Sequence, residues 1–120
     1  MSDLEQALNS FYAEEYTQAL SLLKPLAEKE NDEAQCIIAN IYHLGLSVER
    51  NILEAIKWYI KAAENGNAVA ANNLAGIYLS GDEGVAVNQA EADKWFEIAR
   101  RQGFLHSPVS NDYLKLAGIA

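Results

Sequence analysis

Cysteine occurs once in this chain of 120 residues, at Cys36. A single thiol cannot form an intrachain disulfide, which excludes a disulfide-stapled miniature domain and suits a reducing compartment. Proline occurs twice, at Pro25 and Pro108, too rarely for a polyproline or collagen-like chain. Basic residues are also scarce. Nine Lys and Arg stand against 17 Asp and Glu, for a net charge of −8. Phosphate backbones and anionic lipid repel such a chain, so nucleic acid and bare membrane are poor partners and a basic protein surface fits better. No run approaches the ~18 apolar residues of a membrane helix. Met1 to Ala7 holds two acids and no base, with no apolar stretch behind it, unlike a secretory leader. The expected location is cytoplasmic.

Chemistry-bearing motifs are missing as well. There is no glycine-rich phosphate loop, no CxxC and no HExxH. Cys36 and His43 lie seven residues apart on one expected helix, about two turns or ~10 Å, too far for a nucleophile and its base. Asp82 and Glu83 beside Gly81 and Gly84 lack the alternating ligands and distal glutamate of a calcium loop. The expectation is no catalytic residue, no metal and no cofactor.

What the chain does contain is one pattern written twice. The first copy reads Ala34-x-x-x-Ile38-Ala39-x-Ile41-Tyr42-x-x-Gly45, and the second Ala70-x-x-x-Leu74-Ala75-x-Ile77-Tyr78-x-x-Gly81. Each leads to a second block: Asn51-x-x-x-Ala55-x-x-Trp58-Tyr59-x-x-Ala62-x-x-x-Gly66, then Asn88-x-x-x-Ala92-x-x-Trp95-Phe96-x-x-Ala99-x-x-x-Gly103. Tyr42 to Tyr78 is a step of 36 and Trp58 to Trp95 a step of 37, so the second copy has one extra loop residue. A period of this size with helical spacing inside it predicts an α-helical solenoid, a fold that presents a surface for binding.

Helix starts and stops follow from capping chemistry. Helices are expected over Asp3 to Phe11 and Tyr16 to Lys29, the second bent or irregular at Pro25. Asp32 to Leu44 follows, capped by Asn31 or Asp32 and ended by Gly45. Asn51 with Glu54, and Asn88 with Glu91, resemble capping boxes that open the next helix of each copy. Asn67 caps the helix to Ser80. After Gly103 the pattern fails, because Ser107, Asn111 and Asp112 stand where Ala70, Leu74 and Ala75 would repeat. A terminal capping helix is expected there.

The two copies resemble Sel-one-like repeats (SLR), relatives of the tetratricopeptide repeats. Trp58-Tyr59-Ile60-Lys61-Ala62-Ala63-Glu64-Asn65-Gly66 is very close to the family's second-helix signature, and Gly81-x-x-Gly84-Val85 resembles its loop motif. Ser47 departs from a usual glycine, and Asn51 and Asn88 from a common aspartate. The resemblance implies an all-α solenoid of about seven helices in antiparallel pairs, wound as a right-handed superhelix. It divides a single domain spanning 1–120 into a degenerate pair at 1–33, repeats at 34–66 and 67–103, and a capping helix at 104–120. It also implies an adaptor or scaffold in which the first helix of each pair lines a concave groove. By that analogy the groove positions are Glu33, Cys36, Asn40 and His43 in one repeat and Val69, Asn72, Gly76 and Leu79 in the next.

Charge sharpens this expectation. Residues 1–33 hold eight acids and two bases, a net −6. The partner expected is a protein or peptide, with a basic one favoured, as for a small acidic immunity or inhibitor protein. Two rivals stand beside it. One is a hydrolase of the β-lactam-binding SLR type. The other is a homo-oligomer, since two full repeats are fewer than the three or so that usually make a stable stack.

Overall fold

The computed structural model describes residues 1–104. Six helices follow one another: α1 (Asp3–Tyr12), α2 (Tyr16–Glu28), α3 (Asp32–Leu44), α4 (Ile52–Glu64), α5 (Ala68–Ser80) and α6 (Gln89–Arg101). Each packs on its neighbours in sequence, so the chain stacks as helix pairs α1–α2, α3–α4 and α5–α6. The regular structure of the described residues is helical apart from one isolated bridge between Asp82 and Val85. The capping helix expected at 104–120 lies outside the described residues.

Asparagine sets four of the six helix starts. The side chains of Asn31, Asn51, Asn67 and Asn88 accept from the amides of Ala34, Glu54, Ala70 and Glu91. Each satisfies one of the four amides a helix leaves orphaned. The expected capping boxes form only by half. The Asn51 and Asn88 amides donate to the carbonyls of Tyr42 and Tyr78, at 2.9 and 2.8 Å, so they have no need of a returning carboxylate. Glu54 instead accepts from Lys57 and from the Trp58 indole N–H. Gly45 ends α3 in the left-handed region at φ 68°. α2 runs through Pro25 without ending. Ser21, whose carbonyl loses its donor there, is exposed and can turn to water.

Alanine makes the stack tight. Ala39, Ala55, Ala62, Ala75, Ala92 and Ala99 have no exposed surface, and their small side chains let neighbouring helices approach. Larger side chains fill the spaces between: Leu23 of α2 with Ile38 and Ile41 of α3, and Tyr59, Leu74, Trp95 and Phe96 toward the second repeat. Trp58, half-buried, packs against both clusters and joins them.

Candidate binding site

The first helices of the three pairs, α1, α3 and α5, line two clefts. An outer cleft of about 430 Å³ lies where the end of α1 meets α3 and the start of α5, and includes Tyr12, Asp32, Glu33, Asn40, Asn67 and Val69. An inner cleft of about 550 Å³ lies between α3, α5 and the loop after α5, with His43, Asn72, Asn73, Gly76, Ser80 and Asp82 around Ile77 and Phe96.

Beneath the ridge between the clefts sits Tyr59, delivered by α4 and only 1 % exposed. A buried phenol needs a partner. Tyr59 Oη donates to Asn40 Oδ1 at 2.6 Å and lies 3.1 Å from His43 Nδ1. With the phenolic proton committed to Asn40, neutral His43 carries its proton on Nδ1 and keeps Nε2 as an acceptor. Asn73 Nδ2 reaches Asn40 Oδ1 from α5 at 3.4 Å. Burial pushes the Tyr59 phenol upward, so it stays a donor. Burial also holds His43 below its ordinary value, and the nearby Arg50 guanidinium adds to this while Asp82 opposes it.

A clasp fixes the rim. Arg50 Nε donates to the His43 carbonyl at 2.9 Å, and its Nη2 meets Asp82 Oδ2 at 2.7 Å across the two loops. That contact, followed by the Glu83 amide, holds the Asp82 carboxyl below its usual range. The loops therefore keep register with each other as well as with their helices.

The groove positions inferred from resemblance divide between the clefts. Glu33, Asn40 and Val69 line the outer one, and His43, Asn72 and Gly76 the inner one. Leu79 is exposed but lines neither of these clefts. Cys36 requires a correction. It is 5 % exposed and forms part of the outer cleft's wall rather than pointing outward, because it packs in the core with Ala39 and Tyr59. Burial, then Asp32 and Glu33, push its thiol up to about 12, the reverse of an activated nucleophile.

Sequence reasoning missed Tyr12, Tyr59, Asn73 and Asp82. For Tyr59 a signal was available. Where the first repeat has Asn40, His43 and Tyr59, the second has Gly76, Leu79 and Phe96 at the same repeat positions. All three polar groups are exchanged together, as expected for side chains bonded to one another.

The same fold is found in longer proteins. A family model for the Sel1 repeat matches residues 32–67 and 68–104. The crystal structure of a Sel1 repeat protein from Oxalobacter formigenes superposes with a TM-score of 0.84 and 35 % identity, over 96 % of this chain and 47 % of that one. The crystal structure of c5321, a protective antigen present in uropathogenic Escherichia coli strains and displaying an SLR fold, gives a TM-score of 0.80 and 34 % identity, over 84 % and 22 %. The chain spans less than half the length of either relative. No curated protein matches it. Each family match takes in one helix pair, α3–α4 and then α5–α6, and the chain belongs to the Sel1 repeat family.

Proposed function

We propose that this chain is a recognition module that binds a protein or peptide segment along the face formed by α1, α3 and α5. The observation that carries the reading is the Tyr59 node. It holds Asn40 and His43 in fixed rotamers at the ridge between two clefts. Side chains ordered before binding lose little freedom on binding, which is how a preorganised surface gains affinity. The half-buried amides and the carboxylates around them supply donors and acceptors for a segment of chain. In this reading the protein joins partners as an adaptor or scaffold in a cytoplasmic setting, where its lone thiol stays reduced.

The hydrolase reading fares worse on this geometry, because its nucleophile would be Cys36, buried and with a raised pKa.

The test is fluorescence anisotropy with linear peptides selected on the wild-type protein from a random display library. Asn73→Ala and His43→Ala are each expected to weaken binding about tenfold, the loss of one hydrogen bond to a desolvated partner. Lys57→Ala, an exposed change on α4, is expected to leave it unchanged. Equal affinities in all three variants would overturn the reading.

A further inference from the structure

The charges of this chain are sorted by helix. The second helices balance: α2 has Lys24 against Glu28, α4 has Lys57 and Lys61 against Glu54 and Glu64, and α6 has Lys94, Arg100 and Arg101 against Glu91, Asp93 and Glu97. The first helices carry no Lys or Arg. α1 holds Asp3 and Glu5, α3 holds Asp32 and Glu33, and α5 holds no charged residue. The first helices therefore run from acidic at α1 and α3 to uncharged at α5.

The outer cleft lies at the acidic end and has an aromatic wall. Tyr12 is 75 % exposed, a large ring left open to water at the edge of a cleft. Phe11, half-buried in the core, meets it edge-on with ring centres 5.8 Å apart. Asp32 and Glu33 face the same cleft from the first turn of α3. Asp32 is anchored there by Asn67 Nδ2 at 3.0 Å. An aromatic face beside two carboxylates, with no competing cation on the lining helices, is complementary to a cationic side chain. An apolar occupant would take water from the Glu33 carboxylate and give nothing in exchange, and an acidic one would be repelled. The inner cleft offers amides, a hydroxyl and an imidazole, and its one carboxylate, Asp82, is already paired with Arg50.

We propose that the outer cleft is a specificity pocket for one Lys or Arg side chain of a bound peptide, whose uncharged flank lies across the inner cleft. The proposal rests on the binding reading above and deepens it. It fixes the direction of the ligand, because Asp32 and Glu33 face the outer cleft with no cation on its lining helices, whereas Asp82 in the inner cleft is already paired with Arg50.

The experiment selects random linear nonapeptides from a display library on three forms of the full chain: wild type, Tyr12→Ala with Glu33→Gln, and Asn73→Ala. Tyr12 and Glu33 are both exposed, and circular dichroism checks that each form is folded. On the wild type, a basic residue is expected at one peptide position. Replacing it by glutamine should weaken binding to the wild type about tenfold, the combined effect of a cation–π contact and a carboxylate pair. On Tyr12→Ala with Glu33→Gln that preference should vanish, while Asn73→Ala should keep it and lose overall affinity. Peptides selected with no basic position, or a basic preference that survives Tyr12→Ala with Glu33→Gln, overturn the pocket and leave the groove standing. A wild-type protein that selects no peptide overturns both.

Discussion

The Tyr59 hydroxyl is one atom, yet it orders the ridge of the binding face. Tyr59→Phe fits the space, since Phe96 occupies the same repeat position, but it removes the short bond to Asn40 and the partner of His43 Nδ1. The expected cost is about 1–3 kcal/mol, read as a lower midpoint in urea with an unchanged slope. His43 gives a second check. Its folded value lies below its ordinary one, so the unfolded chain takes the proton first. The stability that His43 contributes is complete above about pH 6.5 and is lost as the pH falls through the lower folded value. The carboxyls held low, Glu30, Asp82 and Glu97, act in a separate window below about pH 4.5. His43→Gln should therefore flatten the fall in melting temperature that begins as the pH drops below about 6.5, while leaving the acid limb in place. Cys36 provides a third. A rise from the ordinary thiol value to about 12 leaves about a thousandth of the usual thiolate at neutral pH. Native protein should react with a disulfide reagent about a thousandfold more slowly than the protein in denaturant. Equal rates would mean that the thiol is neither buried nor perturbed.

At the scale of the element, boundaries follow from local chemistry and were legible in the sequence. Asn31, Asn67 and Gly45 sit where capping and a left-handed turn require them, and α3 spans the expected Asp32 to Leu44. Replacing Asn51 or Asn88 by alanine should cost about 1 kcal/mol each, or roughly 4 °C in melting temperature for a domain of this size. Gly45→Ala should cost at least as much, about 1–2 kcal/mol. Its φ is 68°, and an added Cβ would lie 3.1 Å from Arg50 Cβ, so the change also presses on the clasp that Arg50 makes with Asp82. What was not legible lies between elements. The capping boxes are incomplete because Tyr42 and Tyr78, on the preceding helices, supply the acceptors. Gln35 is fully buried because it donates to the Ala27 carbonyl and accepts from Asn65 Nδ2, two contacts made across separate helices. In the next repeat Ala71 takes the place of Gln35, and Gln102 Nε2 reaches in from α6 to the Ala63 carbonyl. The repeat conserves the bond to that carbonyl while changing which helix supplies the donor, and sequence spacing alone carries no trace of such an exchange.

For the whole molecule, the repeat pattern predicts the stack, but the faces acquire their character only when the helices are placed. Read along the sequence, the acids gather in the first 33 residues and suggest a general acidic end. In the structure the second helices balance their charges and the first helices carry no base, and two of those acids, Asp32 and Glu33, line the outer cleft. The central claim is that a bound segment lies along α1, α3 and α5. Its most direct test is amide hydrogen exchange of the full chain with and without a saturating selected peptide. The account predicts slower exchange at the end of α1 and along α3 and α5, with the exposed faces of α4 and α6 unchanged. Protection confined to α4 and α6 would contradict it.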